Sequence, residues 1–126
     1  MKEELVSFET SHLAKEKGFS IPVCNWYHHA NPSTSYLGET YSEPFDTNSH
    51  EVHNYSAPSQ TILQKWLRET HEIHIEIIHF TNQPMDEEMW KDCYQVFVDS
   101  EGLHPYHKTY EKALEMGLYE ALKLIK

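Results

Sequence analysis

The segment Ser56–Phe80 reads SAPSQTILQKWLRETHEIHIEIIHF, and its hydrophobic period changes midway. Ile62, Leu63, Trp66 and Leu67 recur at helical spacing. Ile73, Ile75 and Ile77 then alternate with His74 and Glu76, the period of a half-buried strand. One short stretch therefore encodes an amphipathic helix and the strand that it feeds, which predicts a mixed α+β fold.

Working outward, Pro58 is placed for the first turn of this helix, where a missing N–H costs nothing. Trp66 is its central anchor, with Gln64, Lys65 and Arg68 on the other side. The strand Ile73–Phe80 leads through TNQPMDEEMW to a second strand, Asp92–Asp99. There Tyr94, Val96 and Val98 share one face, and Cys93, Gln95 and Phe97 the other. The connection is too short for a helical crossover, so the pair is expected to be antiparallel, with Met89 and Trp90 packed under it. A last helix is expected from Tyr110 to Ile125. Thr109 is its cap, and Leu114, Leu118, Ala121, Leu122 and Ile125 form its apolar stripe. Gly117 falls inside that stripe, at a helix position where glycine costs about 1 kcal/mol relative to alanine. Close approach of the helix to a sheet would account for it.

Upstream, residues 7–19 predict a helix with Ser7 as N-cap. Gly18 is its left-handed closing residue, and Phe19 folds back on Leu13 or Ala14. Ile21–Tyr27 is apolar, β-branched and aromatic and reads as a strand, with Pro22 near its start or on an edge. Residues 28–57 form a long irregular segment, polar and rich in turn residues. A loop of that length without structure is uncommon inside a domain, so short strands are expected at Ser35–Tyr41 and Glu51–Tyr55. The whole, residues 1–126, is expected to be one domain with a small, mainly antiparallel sheet and about three helices.

Composition narrows the functions open to such a chain. Twenty carboxylates face 10 lysines and arginines, for a net charge of −10. Proteins that grip nucleic-acid phosphates or anionic membranes collect the opposite charge. A nucleic-acid partner and a membrane partner are therefore not expected, although an acidic mimic of nucleic acid against a basic partner is compatible with the balance. No stretch approaches the length of an apolar membrane span. The opening MKEELVSFETSHLAKEKGF has no apolar core of a signal peptide, so a cytoplasmic setting with reduced Cys24 and Cys93 is expected.

Ten histidines are the main chemical anomaly. The His-x-x-His spacings at 50/53, 71/74 and 104/107 invite a metal reading, but none matches a known ligand motif. Ordinary surface or hydrogen-bonded histidines explain them better. If a metal site exists, His50 and His53 with Glu51 are freest to form it, and the chain would then be a small metal-binding protein or metal-dependent hydrolase. His74 and Glu76 could form an acid–base pair, but alternation alone explains them as a polar sheet face. No nucleophile motif and no glycine-rich phosphate loop accompany them. No cofactor is implied, and no catalytic residue stands out.

Two patterns remain for recognition. Trp26, Tyr27, Tyr36, Tyr41 and Tyr55 lie in and beside the long polar segment. Clustered, they would make a protein or small-ligand contact; scattered, they would anchor the loop. Gln64 and Arg68, with Gln60 and Lys65, could grip a carboxylate or phosphate, or form a solvated helix face. The sequence thus favours a binding or interaction protein over a catalyst.

At YSAPSQTILQKWLRE (55–69), followed by a strand and then TYEKALEMGLYEALKLI (109–125), the chain resembles small uncharacterised proteins encoded by Bacteroidetes bacteria and by phages or prophages of such hosts. EELVSFETSHLAKEKGF (3–19) is similar to their amino terminus. The resemblance covers nearly the whole chain, with the middle segment least similar. It implies a bacterial or phage cytosolic setting, and it transfers no activity and no site residue.

Overall fold

The computed structural model describes residues 4–28, 36–39, 43–85 and 88–126. Its elements run α1 (Phe8–Glu16), β1 (Asn25–His28), β2 (Tyr36–Glu39), α2 (Thr47–His50), β3 (Asn54–Ser56), α3 (Gln60–His71), β4 (Ile75–Met85), β5 (Glu88–Val98), β6 (Glu101–Gly102) and α4 (Tyr110–Lys123). The fold is α+β, and its strands form two three-stranded antiparallel sheets, ordered β2-β1-β3 and β4-β5-β6. The chain divides into two compact units, Met1–Leu63 with Lys126 and Gln64–Ile125, and α3 runs from one into the other.

In the first unit, α1 starts and stops as its sequence requires. The Ser7 side chain accepts the Thr10 N–H. Gly18 takes φ +92°, and the Phe19 N–H returns to the Ala14 carbonyl at 3.0 Å. These bonds make a Schellman ending, and Phe19 is buried just beyond it. The register of the sheet sorts its side chains. Tyr27 lies opposite Leu37 and Tyr55, whereas Trp26 lies opposite Gly38 and Ser56, and His28 opposite Tyr36 and Asn54. Successive residues point to opposite faces, so Tyr27 and Tyr55 share one face and Trp26, His28 and Asn54 the other. Helix α1 covers the tyrosine face through Phe8, whose ring meets Tyr27 and Tyr55 edge-on at 5.9 and 5.5 Å. The long polar segment also carries α2, a single turn that the sequence reading does not anticipate. Asp46 caps it by accepting the Ser49 N–H. Asn48 then ties α2 to β3, accepting the Ser56 N–H at 2.8 Å.

Helix α3 begins two residues later than its proline suggests. Ser59 is the cap, accepting the Ile62 N–H at 3.2 Å, and Pro58 stands just before it, its carbonyl accepting the Val6 N–H. The helix ends at Glu72, which takes φ 57°, with the Ile73 N–H bonded to the Leu67 carbonyl. This is a left-handed closure made without glycine.

In the second unit, β4 and β5 form a long hairpin. The strands run well past the predicted Phe80 and Asp92, and pairing continues to Met85 opposite Glu88. Of the stretch read as a long connection, residues 81–85 and 88–91 are therefore strand. Met89 is 63% exposed on β5 opposite Pro84 rather than packed under a loop. A polar, proline-bearing sequence hid this ribbon, because it offers no core face to alternate. Helix α4 lies on β4 and β5 and buries Ala113, Leu114, Gly117, Leu118, Ala121 and Leu122. Gly117 does mark a close approach, since a Cβ there would collide with Cγ2 of Val96 and stand 3.2 Å from Cγ2 of Ile75. Trp66 is buried, with the His71 ring edge-on to it at 4.7 Å.

Candidate binding site

Among the described residues, the aromatic candidates Trp26, Tyr27 and Tyr55 do not share one surface. Tyr27 donates its hydroxyl to the Val6 carbonyl at 2.7 Å. Tyr55 lies against Phe8 and against the His12 ring at 4.9 Å. Both are therefore anchors for α1. Tyr36 takes its place in β2 opposite His28, and Tyr41 lies outside the described residues. Trp26 stands apart on the face away from α1.

There the indole lies on Gly38. A Cβ built on this glycine would stand 2.5 Å from Cε2, 2.6 Å from Nε1 and 2.7 Å from Cζ2. Only a residue without a side chain lets the ring lie so low on the neighbouring strand. The Trp26 ring forms one wall of a cleft of about 470 Å³. Pro44 and Phe45 build another wall. Phe45 is fixed through its backbone, which exchanges two hydrogen bonds with Val23 at 3.0 and 3.2 Å, while the residue stays 46% exposed, its ring 5.1 Å from the His50 ring. Thr47, Asn54, Glu43 and Glu51 complete the lining. The cleft thus combines two aromatic walls with two carboxylates, and no lysine or arginine is among its described lining residues.

The segment 51–54, from which Glu51 and Asn54 line the cleft, is held by one cation. Lys15 donates to the carbonyls of Glu51 at 2.6 Å, Asn54 at 2.9 Å and Val52 at 3.4 Å, and its ammonium sits 4.8 Å from the centre of the Tyr55 ring. Burial pushes the Lys15 ammonium below its ordinary value, and the charge of Glu51 works in the other direction. Lys15 thus joins α1 to the segment that carries Glu51 and Asn54 to the cleft.

A second groove, of about 460 Å³, lies among Leu5, Pro22, Val23, Leu37, Ala57 and Ile62, beside Cys24. Its lining is mostly apolar, with Asn25, Glu39 and Ser59 as the polar members and no aromatic ring among its described residues. Both cysteines are free, and burial raises the Cys93 thiol, with Asp92 adding to the effect.

The other sequence candidates are placed as follows. Gln64 donates to the Ile75 carbonyl at 3.0 Å and so ties α3 to β4, while Arg68 is exposed near the end of α3. His50 bonds the Asp46 carbonyl through Nδ1 at 3.0 Å, and His53 is exposed. Among the described residues, no group of three or more His, Cys, Asp or Glu side chains converges to hold a metal ion. His74 and Glu76 are both exposed. Two His–carboxylate contacts do form: His12 with Glu16 at 3.5 Å along α1, and, across β4 and β5, His79 with Asp92 at 2.8 Å, with Tyr94 stacked on the imidazole at 4.9 Å. Each partner of the second is nearly half exposed, a setting in which such pairs contribute about 0–1 kcal/mol. Sequence spacing could not reveal this second contact, because the partners are 13 residues apart.

Glu43, Pro44, Phe45, Thr47 and Asn54 are the cleft residues that the sequence reading passed over as site residues, and Glu51 entered it only beside His50 and His53 in the metal alternative. Phe45 carried the same signal as the tyrosines, a large ring in a segment poor in other apolar residues. Compared with known protein families, curated proteins and solved structures, the chain matches none.

Proposed function

We propose that this chain is a non-catalytic binding or interaction protein of bacterial or phage origin, and that its recognition site is the cleft between Trp26 and Phe45. The observation that carries the reading is the seating of the Trp26 indole on Gly38, which fixes a large ring at the wall of a concave surface. Aromatic anchors in such places dominate binding energy at contact surfaces, and clefts of this size hold side chains or small molecules. The setting is supported by the resemblance of residues 3–19, 55–69 and 109–125 to proteins of Bacteroidetes and their phages.

A fragment-library screen on isotope-labelled protein, read by NMR, tests the assignment. Hits are expected to shift the Trp26 indole N–H together with the amides of Phe45, Thr47 and Asn54. Hits that gather elsewhere, or a library that leaves these signals still, would refute it.

A further inference from the structure

We infer that the occupant of the Trp26 cleft is an arginine side chain of a basic partner polypeptide; this rests on the cleft being the recognition site. Three features select that chemistry. The walls are aromatic, and a guanidinium stacks flat on an indole or phenyl ring. The charged groups of the lining are both carboxylates, beside the neutral Thr47 and Asn54. Glu43 is exposed, with no ion-pair partner among the described residues. Glu51 brings a second carboxylate, moderated by Lys15. A planar fork of N–H donors fits one carboxylate edge-on while its face lies on a ring. Lastly, the net charge of −10 draws a basic partner toward the surface.

The lining also separates a side chain within a polypeptide from the free amino acid. A free α-carboxylate would need a cation or an unengaged donor cluster beside it. The described lining holds no lysine or arginine, and the Lys15 ammonium is directed to three backbone carbonyls. A capped arginine has no such requirement.

The test titrates labelled protein with Nα-acetyl-L-arginine amide, its citrulline counterpart, the norleucine counterpart and free L-arginine, following the Trp26 indole N–H. The capped arginine is expected to bind at least about tenfold more tightly than citrulline, which keeps the shape and loses the charge. Glu43→Gln is expected to weaken the capped arginine about fivefold and leave norleucine unchanged. Tighter binding of free L-arginine than of the capped form would overturn the polypeptide source. Equal binding of citrulline or norleucine would overturn the cation while leaving the cleft as the site. Silence from all four probes would also overturn the inference, and the fragment screen would then decide the cleft separately.

Discussion

Gly38 lies beneath the Trp26 indole, close enough that a methyl group on its Cα would stand 2.5 Å from Cε2 of the ring. The two residues face each other across β1 and β2. The glycine touches no ligand in the proposed mode, yet it sets the height of the cleft wall. Gly38→Ala is expected to lift or rotate the indole and weaken any cleft ligand about tenfold or more, while thermal unfolding moves little because the ring is only half-buried. Trp26 chemical shifts and affinity, measured on the same variant, check this. An unchanged affinity would show that the seating of the ring does not govern recognition.

Lys15 offers a different handle on the same surface. Its three carbonyl bonds fasten residues 51–54 from the α1 side, and charge-assisted hydrogen bonds of this kind are worth more than neutral ones. Lys15→Met keeps the apolar stem and removes the donor. A loss of about 1–2 kcal/mol is expected, with faster amide hydrogen exchange confined to residues 51–55 and weaker ligand binding. Uniform exchange across the first unit would instead indicate that the lysine supports the whole unit rather than this segment.

Much of this architecture was legible in sequence because local chemistry and tertiary placement agreed. The Ser7 cap, the Gly18 closure with Phe19 folded back, the Thr109 cap and the close approach at Gly117 each follow from a residue type whose backbone or steric property is needed where it stands. The 62–77 period switch located both α3 and β4 for the same reason. Failures arose where function of a residue depends on register. Trp26 and Tyr27 are neighbours in sequence but point to opposite faces, and only the pairing with Gly38 and Tyr55 reveals which is wall and which is anchor. Nor do Glu72, Asp99 and Ser100 announce their left-handed backbone (φ 57°, 49° and 73°), since glycine or asparagine would be the expected signal there.

The turn from β5 to β6 makes that last point measurable. Asp99 and Ser100 both take positive φ between paired Val98 and Glu101, the conformation of a type I′ hairpin, in which Asp-Gly is favoured. Asp99 has a second duty, accepting the His74 N–H through Oδ1 at 2.8 Å, so it should be kept. Ser100→Gly is expected to stabilise the protein by about 0.5–1 kcal/mol. Chemical denaturation gives the answer, and a destabilised variant would mean that the serine side chain contributes more than its backbone strain costs.

Gly117 poses the opposite case. Alanine would raise helix propensity by about 1 kcal/mol, but its methyl would collide with Val96 and crowd Ile75. Val96 is fully buried, so it has little room to yield, and overpacking of this kind costs about 1–3 kcal/mol. Gly117→Ala is therefore expected to be net destabilising, by up to about 2 kcal/mol. A variant as stable as the parent would show that α4 can slide on the sheet, and Lys112→Gly compared with Lys112→Ala at an exposed site of the same helix supplies the propensity control.

His107 gives the second unit a pH dependence whose direction follows from its surroundings. Its backbone pairs with Tyr94 in both directions, at 2.8 and 2.9 Å, and its Nε2 lies 3.0 Å from the Met116 sulfur. Burial, and then the charge of Lys112, hold the folded imidazole below its ordinary value of 6.5. Above that pH the ring is neutral in both the folded and unfolded chain, and stability is unaffected by its titration. As the pH falls below 6.5 the unfolded chain takes up the proton first, so the balance shifts toward unfolding until the pH has passed the lowered folded value. His107→Gln retains a polar side chain of similar reach without the titration. Denaturant midpoints of parent and variant, compared from pH 8 down to about pH 5, are expected to show the parent losing stability more steeply on the acid side. All other residues are common to the two proteins, so the difference isolates His107. Parallel curves would mean that Met116 and the β5 backbone accommodate the imidazolium as readily as water does.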